Sequence, residues 1–204
     1  VTPRVAVLAS GGGSNLQAIL DACASGDLEA DVVLVCTDVP GSGALARAEA
    51  AGVATAIVAR AAGETRAEFD ARLADAVGAA SPDLIVLAGF MRLLGSTFLG
   101  RFPGRVINLH PALPGDLPGT RAIERAYDEF SRGQRSRTGV MVHEVPDEGI
   151  DSGPVVLAEE VPILPGDTLD ALAERVHGVE HRLIVEAVRR VLADRGRSTM
   201  GPDA

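Results

Sequence analysis

The sequence predicts an α/β fold, with a mostly parallel sheet flanked by helices, a C-terminal strand pair and a long last helix. Three observations lead there. Strand-like and helix-like segments alternate through the first half of the 204 residues. The strand-like segments are near-continuous aliphatic runs, as expected of parallel strands buried on both faces. Glycine- or proline-marked breaks separate the segments.

Arg4 to Ser10 reads as a buried strand, followed by the loop Gly11-Gly-Gly-Ser-Asn15. Ser14 or Asn15 is the expected cap of a helix whose apolar face is Leu16, Ile19, Leu20 and Cys23. Residues 31–37 form a second strand, 43–51 a helix and 54–58 a third strand. Residues 64–79 are helical, with Phe69, Leu73 and Val77 at four-residue spacing, until Ser81-Pro82 breaks the run. Residues 83–88 are a fourth strand, 91–99 a short helix and 106–110 a fifth strand. A helix to about Phe130 follows Gly119. Two strands then come, 139–144 and 153–160, joined by a turn-rich stretch. Leu169, Leu172, Val176, Val179, Leu183, Ala187 and Val191 give the apolar stripe of a helix from about Thr168 to Ala193, capped by Asp167 or Thr168. Residues 195–204 read as a frayed tail. The layout is Rossmann-like and is expected to form one domain over 1–194.

Composition narrows the chemistry. All 19 basic residues are arginine, so Schiff-base lysine chemistry and a lysine-bearing phosphate loop are excluded. A net charge of −9 with 3% aromatics makes a general nucleic-acid binder a poor fit. Cys23 and Cys36 lie in separate apolar segments without zinc spacing, which predicts reduced thiols in a cytoplasmic protein. No signal peptide is expected, and the longest apolar run is too short to span a bilayer.

Two segments carry the chemistry. In Arg105-Val-Ile-Asn-Leu-His-Pro, strand alternation points Asn108 and His110 one way and Ile107 and Leu109 the other. Pro111 ends the ladder there. Polar groups at the carboxyl end of a strand are where open α/β sheets keep their ligands. Glu148-Gly-Ile-Asp-Ser-Gly-Pro would add Asp151. An amide, an imidazole and a carboxylate together can stabilise an oxyanion and move a proton. The loop Gly11, Gly12, Gly13, Ser14, Asn15 is a nest of amides opening into a helix N-terminus, suited to an anion and best to a monophosphate. A dinucleotide fingerprint fails because Leu16 stands at its third glycine.

These segments resemble the phosphoribosylglycinamide formyltransferase family, folate-dependent enzymes of purine biosynthesis. The resemblance runs over roughly residues 4–194 and rests on VAVLASGGGSNLQAILDAC, PDLIVLAGFMRLL, VINLHPALPG, the Pro-Gly at 118–119, GVMVHEV, DEGIDSGPVV and the Glu-His pair at 180–181. It implies a transferase that moves the formyl group of 10-formyltetrahydrofolate, as cosubstrate and without a metal, to the amine of glycinamide ribonucleotide. Asn108 and His110, as imidazolium, would stabilise the oxyanion, and Asp151 would keep His110 charged and relay a proton. Gly12, Gly13, Ser14 and Asn15 would hold the phosphate, and Glu180 with His177 the ribose. Met91, Arg92, Leu94, Asn108 and Val145 would border the folate, and Arg66 its carboxylate or, equally, only solvent. Residues 1–104 would be the phosphate-binding half and 105–194 the catalytic and folate-binding half. The partners would be small molecules, with no nucleic acid or membrane, for a monomer or homodimer.

Relative to the family pattern the 143–151 loop is one residue longer, through Pro146, which leaves Asp147 and Glu148 as rivals to Asp151. His177-Gly-Val-Glu-His181 also matches a zinc-peptidase pattern, but without a third ligand. A methionyl-tRNA formyltransferase or a formyltetrahydrofolate hydrolase would each be expected to carry a further domain. A non-catalytic phosphate-binding module would keep its affinity without Asn108, His110 and Asp151.

Overall fold

The computed structural model describes residues 2–199. One seven-stranded sheet organises the chain. Its strands are β1 (Arg4–Leu8), β2 (Asp31–Thr37), β3 (Thr55–Ile57), β4 (Leu84–Leu87), β5 (Val106–His110), β6 (Arg137–Glu144) and β7 (Val155–Pro162). The order is β3-β2-β1-β4-β5-β6-β7. The first five strands are parallel; β6 runs against both β5 and β7. The helices are α1 (Ser14–Ser25), α2 (Gly43–Ala50), α3 (Arg66–Ala79), α4 (Ser96–Leu99), α5 (Ala122–Ser131) and α6 (Leu169–Thr199).

Alternation along each strand feeds two cores. Val5, Val7, Val86, Ile107, Leu109, Val140 and Val142 pack with α1, α2, α5 and α6 on one face. Ala6, Leu8, Ile85, Leu87 and Val106 pack with Phe69, Leu73, Val77 and Phe98 of α3 and α4 on the other. A strand buried on both faces has no room for polar residues, which explains the aliphatic runs. Asn108 and His110 break that pattern on the second face. There the 89–95 and 145–151 segments, rather than a helix, border β5 and leave a cleft.

The predicted elements are all present, with shifted ends. The first helix is capped by Gly13 in a left-handed conformation, not by a Ser14 or Asn15 side chain. Asn15 is drawn instead into a buried contact with Glu180. Helix α3 starts at Arg66 behind a capping box in which Thr65 and Glu68 bond each other's backbone N–H groups. The expected helix over 91–99 shrinks to Ser96–Leu99, because Met91 and Arg92 are tied by Ser10 and Asp38 across the sheet end. Thr168 caps α6 through the Ala171 N–H. That helix continues through Thr199, past the predicted end at Ala193, while residues 200–204 of the expected tail lie outside the described residues. No helix among the described residues is long and apolar enough to cross a membrane. Both cysteines are free, and burial pushes the Cys36 thiol up to about 12, so it packs as an inert apolar group.

Candidate active site

The strand order reverses between β1 and β4, the point at which open α/β sheets bind ligands beyond their strand ends. A cleft of about 640 Å³ opens there. The glycine loop, the 88–94 segment, Asn108, His110, the 119–122 segment, the 145–151 loop, His177 and Glu180 line it.

At its centre Asn108, His110 and Asp151 meet. The Asn108 amide donates to Asp151 Oδ1 at 3.1 Å, and His110 Nδ1 stands 3.3 Å from Asp151 Oδ2. The Gly119 N–H donates to the same Oδ2 at 2.7 Å. The two rivals serve elsewhere: Asp147 accepts the Gly149 N–H, and Glu148 accepts the Ser96 N–H and pairs with Arg66. Asp151 itself adopts a left-handed φ of 49°, as do Leu117 (45°) and Arg121 (58°) nearby. Such conformations are costly for non-glycine residues and gather where function demands them. Gly153 allows the chain to leave the loop, since a Cβ there would strike the Glu144 carbonyl.

His110 is buried, and burial is the largest influence on it. Burial pushes its pKa below the usual histidine value, and the opposing pull of Asp151 does not restore it. The expectation from the neighbouring carboxylate alone, a raised pKa, is therefore corrected. Both ring nitrogens still face acceptors, Nδ1 toward Asp151 and Nε2 toward the Leu117 carbonyl at 3.0 Å. A second proton thus has a partner ready when local negative charge favours it. Burial also works to raise the Asp151 pKa, but hydrogen bonds from His143 and the Gly119 N–H, with the adjoining imidazoles, hold the carboxyl below its ordinary value. It is ionised at neutral pH.

His143 is the residue that the sequence reading missed. It is 2% exposed, and its Nε2 lies 3.1 Å from the Asn108 amide nitrogen and 3.5 Å from Asp151 Oδ1. Its Nδ1 faces the Glu144 carbonyl at 2.8 Å, and its Nε2 faces both the Asn108 amide and the Asp151 carboxylate, accepting from the one or donating to the other according to the ring's protons. The pairing of Asn108 with His143 across β5 and β6 was the available signal, had the two segments been set in antiparallel register.

At the other end of the cleft, Gly12, Gly13 and Ser14 line the wall at the start of α1. The Asn15 amide donates to Glu180 Oε2 at 3.2 Å, leaving its own buried carbonyl oxygen without a partner inside the protein. Burial raises the Glu180 pKa, partly countered by that bond. This fixes the sign of a stability effect. A carboxyl whose folded pKa is raised costs stability once it ionises, and the cost is relieved as pH falls through the folded value. Glu180→Gln is therefore expected to raise Tm at pH 8 and to do so less at pH 5. Thermal denaturation at both pH values checks this; an equal Tm gain at both would reject it.

The apolar wall holds Leu94, buried, with Met91 exposed at the rim and Val145 half-buried. Phe90 is core, whereas Met91 is not. Arg92 pairs with buried Asp38 at 2.6 Å, and Ser10 bridges Asp38 to the Met91 N–H. Arg66 is the one predicted site residue that the cleft lining lacks. It stands behind the 145–151 loop, bonded to Glu148 and to the Leu94 carbonyl. His177 and Glu180 reach the cleft, while His181 Nε2 is buried without a partner. Among the described residues no group of three or more His, Cys, Asp or Glu could hold a metal ion.

A switch-point cleft with a glycine-rich helix start at one end and an Asn-His-Asp cluster at the centre is the layout of an α/β enzyme site. Residues 3–188 match the formyl transferase family, and the chain belongs to it. Its relatives sharpen the class. It is 40% identical over 202 residues to the phosphoribosylglycinamide formyltransferase of Dictyostelium discoideum, covering 93% of this chain and 98% of that one. Identity to the enzyme of the same name from Mycobacterium tuberculosis is 43% over 201 residues, 98% of this chain and 90% of the other. The crystal structure of glycinamide ribonucleotide transformylase 1 from Geobacillus kaustophilus superposes with a TM-score of 0.87 at 42% identity, covering 94% of this chain and all of that one.

Proposed function

We propose that the protein transfers the formyl group of 10-formyltetrahydrofolate to the amine of glycinamide ribonucleotide, a step of purine biosynthesis. The observation that carries this reading is the convergence of Asn108, His110 and Asp151 in the cleft that also contains the glycine loop. The relatives' shared activity supports it.

Gly12, Gly13 and Ser14 receive the phosphate on backbone N–H groups at the positive end of α1. Glu180 and His177 take the ribose, with the free Asn15 carbonyl as a further acceptor. The folate ring system lies along Met91, Arg92, Leu94 and Val145, partly on backbone groups. Arg66 reaches the folate carboxylate only by exchanging Glu148 for it. The fit is one of size and polarity: a cleft of about 640 Å³ with apolar walls and a few aimed donors is of the kind that holds cofactor-sized ligands. Residues 1–104 grip the phosphate and 105–194 carry the chemistry within one domain. On this reading the substrates are small molecules, no metal takes part, and the enzyme works in the cytoplasm as a monomer or homodimer.

Attack by the neutral amine places negative charge on the formyl oxygen. Asn108 donates one amide proton to that oxygen, giving up one of its two internal bonds. His110, which takes its second proton from solvent when the anionic substrates bind, turns Nε2 from the Leu117 carbonyl to that oxygen, and Asp151 stabilises the cationic ring. Preset donors of this kind are each worth about 3–4 kcal/mol in a dry site. Asp151, ionised until that point, accepts the amine's proton through water and then gives it to the departing folate nitrogen, which returns the carboxylate.

A direct assay with both substrates tests the proposal, beside a control without the amine that scores hydrolysis. Formyl transfer without amine-independent hydrolysis is expected; hydrolysis alone, or phosphate binding without turnover, would overturn it. Asn15→Ala is expected to raise the ribonucleotide KM about tenfold, because it removes both the acceptor offered to the ribose and the donor that holds Glu180. An unchanged KM in steady-state kinetics would reject the ribose assignment.

A further inference from the structure

We infer that Arg47, on α2 and outside the cleft lining, is a positioning residue for phosphate binding that acts by holding the glycine loop from behind. The inference rests on the proposed reading of the loop as the phosphate site.

Two carbonyls of the loop are tied to α2. Gly11 O accepts the Ala44 N–H at 3.1 Å, and Gly12 O accepts Arg47 Nε at 2.8 Å. No peptide bond among the described residues is cis. In a trans peptide the carbonyl of one residue and the N–H of the next point in opposite directions. Turning Gly11 O and Gly12 O toward α2 therefore turns the N–H groups of Gly12 and Gly13 away from it, on the side where both glycines line the cleft. The amide nest is thus set by what holds its reverse side.

The approach is close enough to need two glycines. A Cβ on Gly43 would stand 2.9 Å from Gly12 O. One on Gly13, which has a φ of 74°, would stand 2.8 Å from Ala44 Cα. Arg47 also donates through Nη1 to Gln17 Oε1 at 3.0 Å, so one guanidinium fastens both the loop and the first turns of α1. Its planar fork keeps the two donors in fixed relation, which a lysine cannot copy. The Ala44 N–H comes with the backbone; Arg47 is the part of the clamp that a side chain supplies.

The test is Arg47→Ala in the full chain, with circular dichroism to confirm folding. The ribonucleotide KM and Kd are expected to rise about tenfold, consistent with losing a charge-assisted hydrogen bond, while kcat and the folate KM stay within about twofold. The phosphate-free riboside should show no such rise, and Arg47→Lys should restore part of the loss. Gly43→Ala separates orientation from charge: it pushes on Gly12 O without altering charge and should weaken the ribonucleotide in the same direction. A ribonucleotide KM unchanged in Arg47→Ala would overturn the inference. So would an equal rise with the riboside, or a Gly43→Ala protein with parental affinity. If the parent does not turn over the ribonucleotide, the proposed function fails instead. Calorimetry with inorganic phosphate on the parent and both variants then still decides the clamp, weaker binding in both variants upholding it and equal binding overturning it.

Discussion

Asp151→Asn is expected to lower kcat by about three to four orders of magnitude, the upper range for losing a group that acts in proton transfer, with the ribonucleotide KM within a few-fold of the parent. The geometry explains the size of the effect. Both carboxylate oxygens accept, Oδ1 from Asn108 and Oδ2 from the Gly119 N–H, so an amide at this position must set a donor against a donor on one side. The substitution also removes the charge that supports a proton on His110. With burial then less opposed, the His110 pKa falls further below its ordinary value. Because the cationic form is lost as pH rises through that pKa, the residual activity should decline from a lower pH than in the parent. A pH-rate profile from about pH 5 to 9 shows both changes. Near-parental kcat would remove Asp151 from the mechanism.

The second large effect is expected at Asn108. Asn108→Ala should lower kcat by about 10²–10³, the usual consequence of removing one oxyanion donor, with little change in either KM. Single-turnover kinetics separates this from slower product release. Two partners lose their donor at once, since the Asn108 amide nitrogen serves His143 Nε2 and Asp151 Oδ1. The double variant Asn108→Ala/His110→Ala should therefore lose less than the product of the single losses, as groups acting as a unit do. A multiplicative loss would show the two donors to be independent. A kcat unchanged in the single variant would mean that the amide's role is confined to fastening His143 and Asp151.

Much of this architecture is legible in the sequence. The aliphatic runs ending at Leu8, Leu87 and His110 identified parallel strands because burial on both faces leaves one compositional solution. Asn108 and His110 stood out as polar exceptions to it. Local reasoning stopped where contacts depend on which strands lie side by side. His143 sits in a run of apolar residues and reads as a strand residue; only its antiparallel pairing with Asn108 reveals it. The same holds for Glu148, whose work is to bind Arg66 and the Ser96 N–H from a distant part of the chain. Apolar spacing at 91–99 suggests a longer helix than α4, whereas the Ser10–Asp38–Arg92 contacts hold that stretch open. The direction of the His110 shift needed its burial, which no spacing rule supplies.

The segment between β6 and β7 is fastened at both ends. Val145 N–H bonds the Val106 carbonyl, Glu144 N–H bonds the Pro154 carbonyl, and Gly153 lies against Glu144, while residues 146–150 are exposed. Any residue added at Pro146 therefore bulges into solvent rather than displacing the acid downstream. One extra residue is thus absorbed at the Pro146 tip while the acid keeps its place, whereas a long insertion would load the same stretch of chain that walls the cleft and carries the Glu148 tether.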